Sequence, residues 1–416
     1  MKKNKLIFLI LILATILRLG YVIYTRNQGL TFGDAGAYNQ LGKSLAEGKG
    51  YSDQYGNPTA ARAPLYPLLI GIIYFLFGQS FFAVRLFQVI LGVLSCYILF
   101  LLGRKVYNIP VALIASFLFA WNPYLIYYTG HLLQETLFIF ILLIIIYLLS
   151  YLNEKKGFSL LAGGFAGLAV LTREVFVLYL PFLLVGLLIV IRGDILIKFK
   201  KTLLFFFVFS MVWGVWIARN YLVFGSFITR TVFCKEDTGG EIWAHLWYSN
   251  NPYLGVDFEK ECRYLGFELS AELASIPPKE KGAYAKKRAL ELITREPLRT
   301  IKVQIIKFGR FWRLYPHDTK LLGEVTKKSF NSLKIISLLS DGWIIPLGLI
   351  GLLLFFRKKE FTNPSLDYES MYRDYPHLLS DGALPTPGDA LCNAIYSLFL
   401  ICFGKFFKNK DAEQIR

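Results

Sequence analysis

A chain of 416 residues, 55% hydrophobic, 16% aromatic and only 18% charged, carries more apolar surface than soluble domains, which run at roughly 45–50% apolar and about 25% charged. With a mean hydropathy of +0.46, much of that surface must meet lipid, and intrinsic disorder, a collagen-like fibre and a small disulfide scaffold are excluded. A net charge of +17 would suit nucleic acid in a soluble protein, but here Lys and Arg punctuate apolar runs, as topogenic charges do at a membrane, so no nucleic-acid partner is expected.

The first apolar run, Leu6–Tyr24, follows Lys2, Lys3 and Lys5. It is long and has no small-residue cleavage site, so it reads as an uncleaved first span. Arg18 interrupts it near the far end, as a functional intramembrane charge or as a side chain that snorkels to the interface. An outer loop over 27–65 follows. Pro64–Phe77 is apolar but short and holds Pro64, Pro67 and Gly71, the pattern of a helix lying in the interface. The later runs are Phe81–Gly103, Val111–Tyr128, Thr136–Tyr151, Leu160–Leu171, Val175–Ile191, Leu203–Ile217 and Ile335–Phe356.

Basic clusters stand at the N-terminus, 104–105, 154–156, 192–201 and 357–359. All fall on one side if the chain has about eight spans, which puts the N-terminus in the cytoplasm and 27–65, 129–135, 172–175 and 221–333 on the outer face. Leu160–Leu171 is short of the ~20 residues of a full span, leaving Arg173 and Glu174 in a protein-lined cavity. The expected fold is an all-α polytopic bundle of about eight helices in the cell's inner or plasma membrane, with outer-face interfacial helices. Its parts are a transmembrane core over 1–222, an outer soluble segment over 223–333, a last span over 334–359, and a cytoplasmic or membrane-associated tail over 360–416. Leu391–Phe407 in that tail is a candidate ninth segment. The chain shows no internal repeat and no sign of broken helices.

No phosphate loop, dinucleotide fingerprint, HExxH or GxSxG motif is present. Ionisable residues gather instead at the outer ends of spans. Asp34 stands between Gly33 and Gly36, which allow close approach of backbone or substrate. It is a general base for an acceptor hydroxyl, or the N-cap of a helix starting near Ala35. Arg62, Arg173 and Arg219 fall on the outer face, where the planar guanidinium suits a lipid-linked phosphate; the alternative is pairing with headgroups. Glu135 opens a span after the turn from Thr129, where the helix dipole favours a carboxylate. His131 and Glu135, at i,i+4, offer two ligands for a divalent cation, with no third identified. Tyr38, Tyr66, Glu174 and Asn251 are candidate substrate contacts, the last beside Trp243, Trp247 and Tyr248 in a polar–aromatic patch that suits a sugar as well as an ordinary turn. Cys234 and Cys262 share one loop and are a candidate pair; the cysteines show no CxxC and no zinc spacing.

The order of these features resembles a family. An arginine late in the first span and an early Asp in the first outer loop are followed by RAPLYPLLIGIIYFLFG, AVRLFQVILGVLSCYILFLLGRKVY, NPYLIYYTGHLLQETLF, a short span ending LTRE, and WIARNYLVFGSFI. Together they are similar to the GT-C membrane glycosyltransferases, in particular the protein O-mannosyltransferase and aminoarabinose-transferase-like group, over residues 1–255 and less specifically 335–356. The resemblance implies an inverting transfer of a sugar from a polyprenyl-phosphate donor to a lipid, glycan or protein hydroxyl on the non-cytoplasmic face. It implies Asp34 and Glu135 as the catalytic acids and Arg62, Arg173 and Arg219 at the donor phosphate, with no cofactor beyond a divalent metal. One departure bears on a protein acceptor: the mannosyltransferases have an Asp-Glu pair in the first loop, whereas Ala35 follows Asp34 here. The rival classes are a transporter or flippase of lipid-linked sugars and a non-catalytic assembly subunit.

Overall fold

The computed structural model describes residues 2–30, 33–154, 157–225 and 278–311, together with Trp243, Trp247, Asn250, Glu272 and Ile276. They form α1 (Lys2–Tyr24), α2 (Gly33–Ala46), α3 (Leu65–Phe77), α4 (Phe81–Val106), α5 (Ile109–Trp121), α6 (Pro123–Thr129), α7 (Glu135–Ser150), α8 (Phe158–Thr172), a 3₁₀ turn (Glu174–Tyr179), α9 (Leu180–Val190), α10 (Ile195–Phe224), α11 (Pro278–Arg295) and α12 (Pro297–Phe311). No strand forms among the described residues; a single bridge joins Ser52 and Pro58. Two compact units divide the chain. Of the described residues, 2–47 and 64–215 belong to the first and 48–63 and 216–311 to the second. Ile335–Phe356, Leu391–Phe407, Cys234 and Cys262 lie outside the described residues.

The protein is an integral membrane protein. Lys5–Tyr24, Phe81–Val106 and Ile195–Phe224 are long and apolar enough to cross a membrane, and α5 with α6, bent by 54°, make a fourth candidate span. Leu65–Phe77, Glu135–Ser150, Phe158–Thr172 and Glu174–Val190 are shorter apolar helices. By length alone the described residues therefore do not reach the expected eight full spans. Two boundaries also differ from expectation. Lys198, Lys200 and Lys201 lie inside α10, not in a loop before it, because the Asp194 carboxylate accepts from the Ile197 amide at 2.9 Å and starts the helix early. The run Val111–Tyr128 is not continuous. Asn122 ends α5 and caps α6, its side-chain oxygen accepting from Tyr124 N at 3.0 Å and Leu125 N at 3.1 Å, with Pro123 in the first turn. The chain thus does contain a broken helix.

That break strands the last carbonyls of α5, since no following amide reaches them. In lipid, water cannot replace the lost bonds. Arg18 of α1 does so: it is 0% exposed and donates from Nη1 to Ala120 O at 3.1 Å and Ala14 O at 3.3 Å, and from Nη2 to Phe119 O at 3.2 Å. It is enclosed by the protein and does not snorkel. Gly92 on α4 makes room for it, because a Cβ there would stand 2.9 Å from Arg18 Cδ. Arg85 in the first turn of α4 plays the same part at the end of α1, donating to Thr25 O at 2.7 Å and Gln28 O at 3.0 Å.

The main apolar core of the first unit draws on α2, α3, α4, α7, α8, α9 and α10, and includes Tyr66, Ile70, Ile141, Ala162, Ala166, Leu187, Phe205 and Phe209. Gly163 and Gly167 on α8 lie one turn apart and let α10 approach closely, the small-xxx-small device of helices in lipid. A Cβ at Gly163 would stand 3.0 Å from the Phe205 carbonyl carbon, whereas one at Gly164 meets only Val208 Cγ1 at 3.6 Å. Gly163→Ala is therefore expected to destabilise the detergent-purified protein by about 1–3 kcal/mol, and Gly164→Ala to leave its thermal unfolding unchanged or slightly raised. Equal melting temperatures for the two variants would refute this packing.

Candidate functional site

The first unit gathers most of the predicted residues. Asp34 lies in the first turn of α2, not at its N-cap, and is exposed. Tyr38 is one turn further on, so the two share a face of the helix, but Tyr38 is buried. Its ring meets that of Tyr66 edge-on, with centroids 5.1 Å apart. Two glycines hold α2 against α3: a Cβ at Gly71 would stand 2.9 Å from Leu45 Cβ, and one at Gly42 would clash with Ile70. The Tyr66 hydroxyl is fully buried and donates to Gln88 Oε1 at 2.6 Å. Gln88 Nε2 in turn donates to Thr129 O at 2.9 Å and His131 O at 2.7 Å.

The turn so held leads into α7, whose first residue is Glu135. The helix N-terminus favours its negative charge, and it acts electrostatically on the Tyr66 hydroxyl. Arg173 completes the pair. Helix α8 stops at Thr172, and Arg173 is extended at φ −144°, ψ 103°, which puts its Nη1 3.6 Å from Glu135 Oε1. Glu135 Oε2 is buried with no hydrogen-bond partner. Glu174 follows, half-buried, at the start of the 3₁₀ turn.

His131 is buried, with Nε2 3.3 Å from the Tyr21 hydroxyl and its ring centroid 4.3 Å from that of Tyr127. Burial, helped by the Arg85 charge, pushes its pKa down to about 4, so it is neutral at pH 7. The two proposed metal ligands therefore face other partners, His131 towards Tyr21 and Glu135 towards Arg173. No group of three or more His, Cys, Asp or Glu able to hold a metal occurs among the described residues. Among the described residues, His131 and Glu135 are therefore joined by no third ligand.

The other two arginines belong to the second unit. Arg219 donates from Nη1 to Thr59 O at 2.8 Å and Asn220 Oδ1 at 2.9 Å, and from Nη2 to Tyr51 O at 3.1 Å. Its guanidinium also lies 5.0 Å from the Trp216 ring centre and 5.6 Å from that of Tyr51, within cation–π range. The Tyr51 hydroxyl donates to Arg62 O at 2.8 Å, so Arg219 anchors the loop that carries Arg62. In the same unit Trp247 packs against Tyr284, and Asn250 O accepts from Arg299 Nη2 at 3.4 Å; Asn251 lies outside the described residues. Sequence reasoning missed Arg85, Gln88 and Tyr21. A signal was available for two of them, since Arg85 and Gln88 are polar residues inside an apolar run.

The described residues form a polytopic bundle of helices. Residues 61–217 match the family of dolichyl-phosphate-mannose-protein mannosyltransferases. In fold, the chain is similar to the Archaeoglobus fulgidus oligosaccharyltransferase. Its apo form aligns at TM-score 0.51 and 13% identity over 98% of this chain and 49% of that one, and its complex with Zn and sulfate at TM-score 0.50 and 14% identity over 97% and 47%. The chain thus spans about half the length of those oligosaccharyltransferase chains. ArnT from Cupriavidus metallidurans bound to undecaprenyl phosphate aligns at TM-score 0.44 and 12% identity over 96% of this chain and 75% of that one. No curated protein sequence matches.

The neutral His131 yields a pH prediction. Its folded pKa lies below the ~6.5 of an unfolded chain, so as pH falls the unfolded state takes the proton first. The contribution to stability is complete above about pH 6.5 and is lost as pH falls towards about 4. Between those values wild type should lose more melting temperature than His131→Gln, and parallel pH profiles would show that His131 is not held neutral.

Proposed function

We propose that the protein is an inverting glycosyltransferase that moves a sugar from a polyprenyl-phosphate donor to an acceptor hydroxyl on the non-cytoplasmic face of the membrane. The observation that carries this reading is the match of residues 61–217 to the dolichyl-phosphate-mannose-protein mannosyltransferases, a family whose donor is a lipid-linked phosphate sugar. The surroundings of Glu135 agree with it: a carboxylate with one buried, unpartnered oxygen stands beside a cation, at a helix start.

In this reading Asp34 takes the proton of the acceptor hydroxyl as that oxygen bonds to the anomeric carbon. The bond from that carbon to the phosphate oxygen breaks, and the lipid phosphate leaves with both bonding electrons. Inversion follows from a single displacement. Arg173, exposed apart from its pairing with Glu135, has donors for the leaving phosphate. Glu135 orients Arg173 through Oε1. Tyr38, Tyr66 and Glu174 line the same region, with His131 in the turn before Glu135. On the second unit Arg62 is the further phosphate candidate, and Arg219 holds its loop. About eight spans, a cytoplasmic N-terminus and an outer active site complete the proposal.

Replacing Asp34 by Asn should reduce transfer from a radiolabelled polyprenyl-phosphate mannose by at least about 10³-fold while melting temperature stays within a degree or two. Glu135→Gln should lower transfer by about 10²-fold, because it removes the charge that holds Arg173. Near-normal turnover by Asp34→Asn would remove it from the mechanism, and label that crosses vesicles unchanged would instead identify a transporter.

A further inference from the structure

The catalytic reading needs two acids held in register, yet Asp34 and Glu135 stand on different helices separated by about a hundred residues of chain. Among the described contacts, a path of polar and ring contacts joins those helices. It runs from Asp34 along one face of α2 to Tyr38, across the ring contact to Tyr66 on α3, through the Tyr66 hydroxyl to Gln88 on α4, and from Gln88 to the carbonyls of Thr129 and His131 in the turn that opens α7 at Glu135. Gln88 is its junction: its one side-chain amide joins three elements.

We infer that Gln88 is the positioning residue of the site, setting Glu135 and its turn relative to the helix pair that carries Asp34; the inference rests on the transferase reading. Gln88 is 0% exposed, so its bonds do not compete with water. Its orientation is determined, because a flipped amide would set its oxygen against two carbonyl oxygens. Both hydrogens of the amide are engaged, and its oxygen accepts one bond. The turn is tied to α6 only by bonds three residues back, from Gly130 N to Tyr127 O at 3.0 Å and from His131 N to Tyr128 O at 3.4 Å, and a Cβ at Gly130 would come within 2.8 Å of Tyr21 Cδ1. The turn is thus confined on one side by Tyr21 and tied on the other by Gln88. Gln88 touches no reacting atom and acts through Glu135.

Three variants in the purified full-length protein test this. Gln88→Leu removes all three bonds. Tyr66→Phe removes one and leaves Gln88 on the turn. Gln88→Glu is driven to its neutral form by burial and keeps one donor. Hydrogen exchange at the amides of 130–134 should speed up at least about tenfold in Gln88→Leu, less in Gln88→Glu, and hardly at all in Tyr66→Phe. With polyprenyl-phosphate mannose as the probe donor, kcat should fall by about 10–100-fold in Gln88→Leu with the donor KM within about twofold, and Gln88→Glu should recover part of it. If Gln88→Leu does not fold, the same ordering is read between Gln88→Glu and wild type. Unchanged exchange at 130–134, a loss confined to KM, or no difference between the Leu and Glu variants would overturn the inference. Wild-type protein that transfers no sugar while the exchange ordering holds would reject the transferase reading and leave Gln88 as the restraint on the turn.

Discussion

Helix ends inside lipid are the constraint on which the rest of this structure depends. A helix that stops within a bilayer leaves carbonyls that no water can reach, so each stop must be answered by a donor from elsewhere in the protein. The first unit has several such stops, and long polar side chains from neighbouring helices answer them. Arg18 serves the end of α5, Arg85 the end of α1, and Gln88 the turn after α6. The catalytic candidates stand at these interruptions. Glu135 begins a helix and Arg173 follows the end of one. Irregular backbone carries the candidate residues, and buried donors make that backbone tolerable.

The broken span over α5 and α6 bears on the choice between enzyme and transporter. Broken helices in transporters place free carbonyls at an ion or substrate path. Here the carbonyls of Phe119 and Ala120 are already occupied by Arg18, and Asn122 satisfies the amides on the other side of the break. The interruption is thus bridged from both sides by side chains of the protein. What it does provide is a change of direction that brings α6 back towards Tyr21 and leads into the turn before Glu135.

Much of this was legible in the sequence, and the remainder was not for identifiable reasons. The apolar runs located the helices, the glutamate after the Thr129 turn marked the start of α7, and the Thr172–Arg173–Glu174 break was visible as charge within an apolar stretch. Local patterning carries that information. The roles of the buried cations were not legible, because they depend on partners dozens of residues away. Arg219 shows the limit clearly. Its residue type and position suggested a phosphate ligand, yet its donors meet the carbonyls of Tyr51 and Thr59, from a loop 160 residues earlier for the latter. Gln88 stood in plain view inside an apolar run, and only the fold shows that it meets Tyr66 and the turn.

Arg18 also has a consequence for how the protein is made. Its carbonyl partner at Ala120 lies 102 residues downstream, so when α1 leaves the ribosome that group has not been synthesised. An arginine within a span is costly to insert, and until α5 is made the guanidinium has, of its carbonyl partners, only Ala14 O of its own helix. The apolar residues around it carry α1 into the membrane, and the bonds to Phe119 and Ala120 form later, when α5 packs against it.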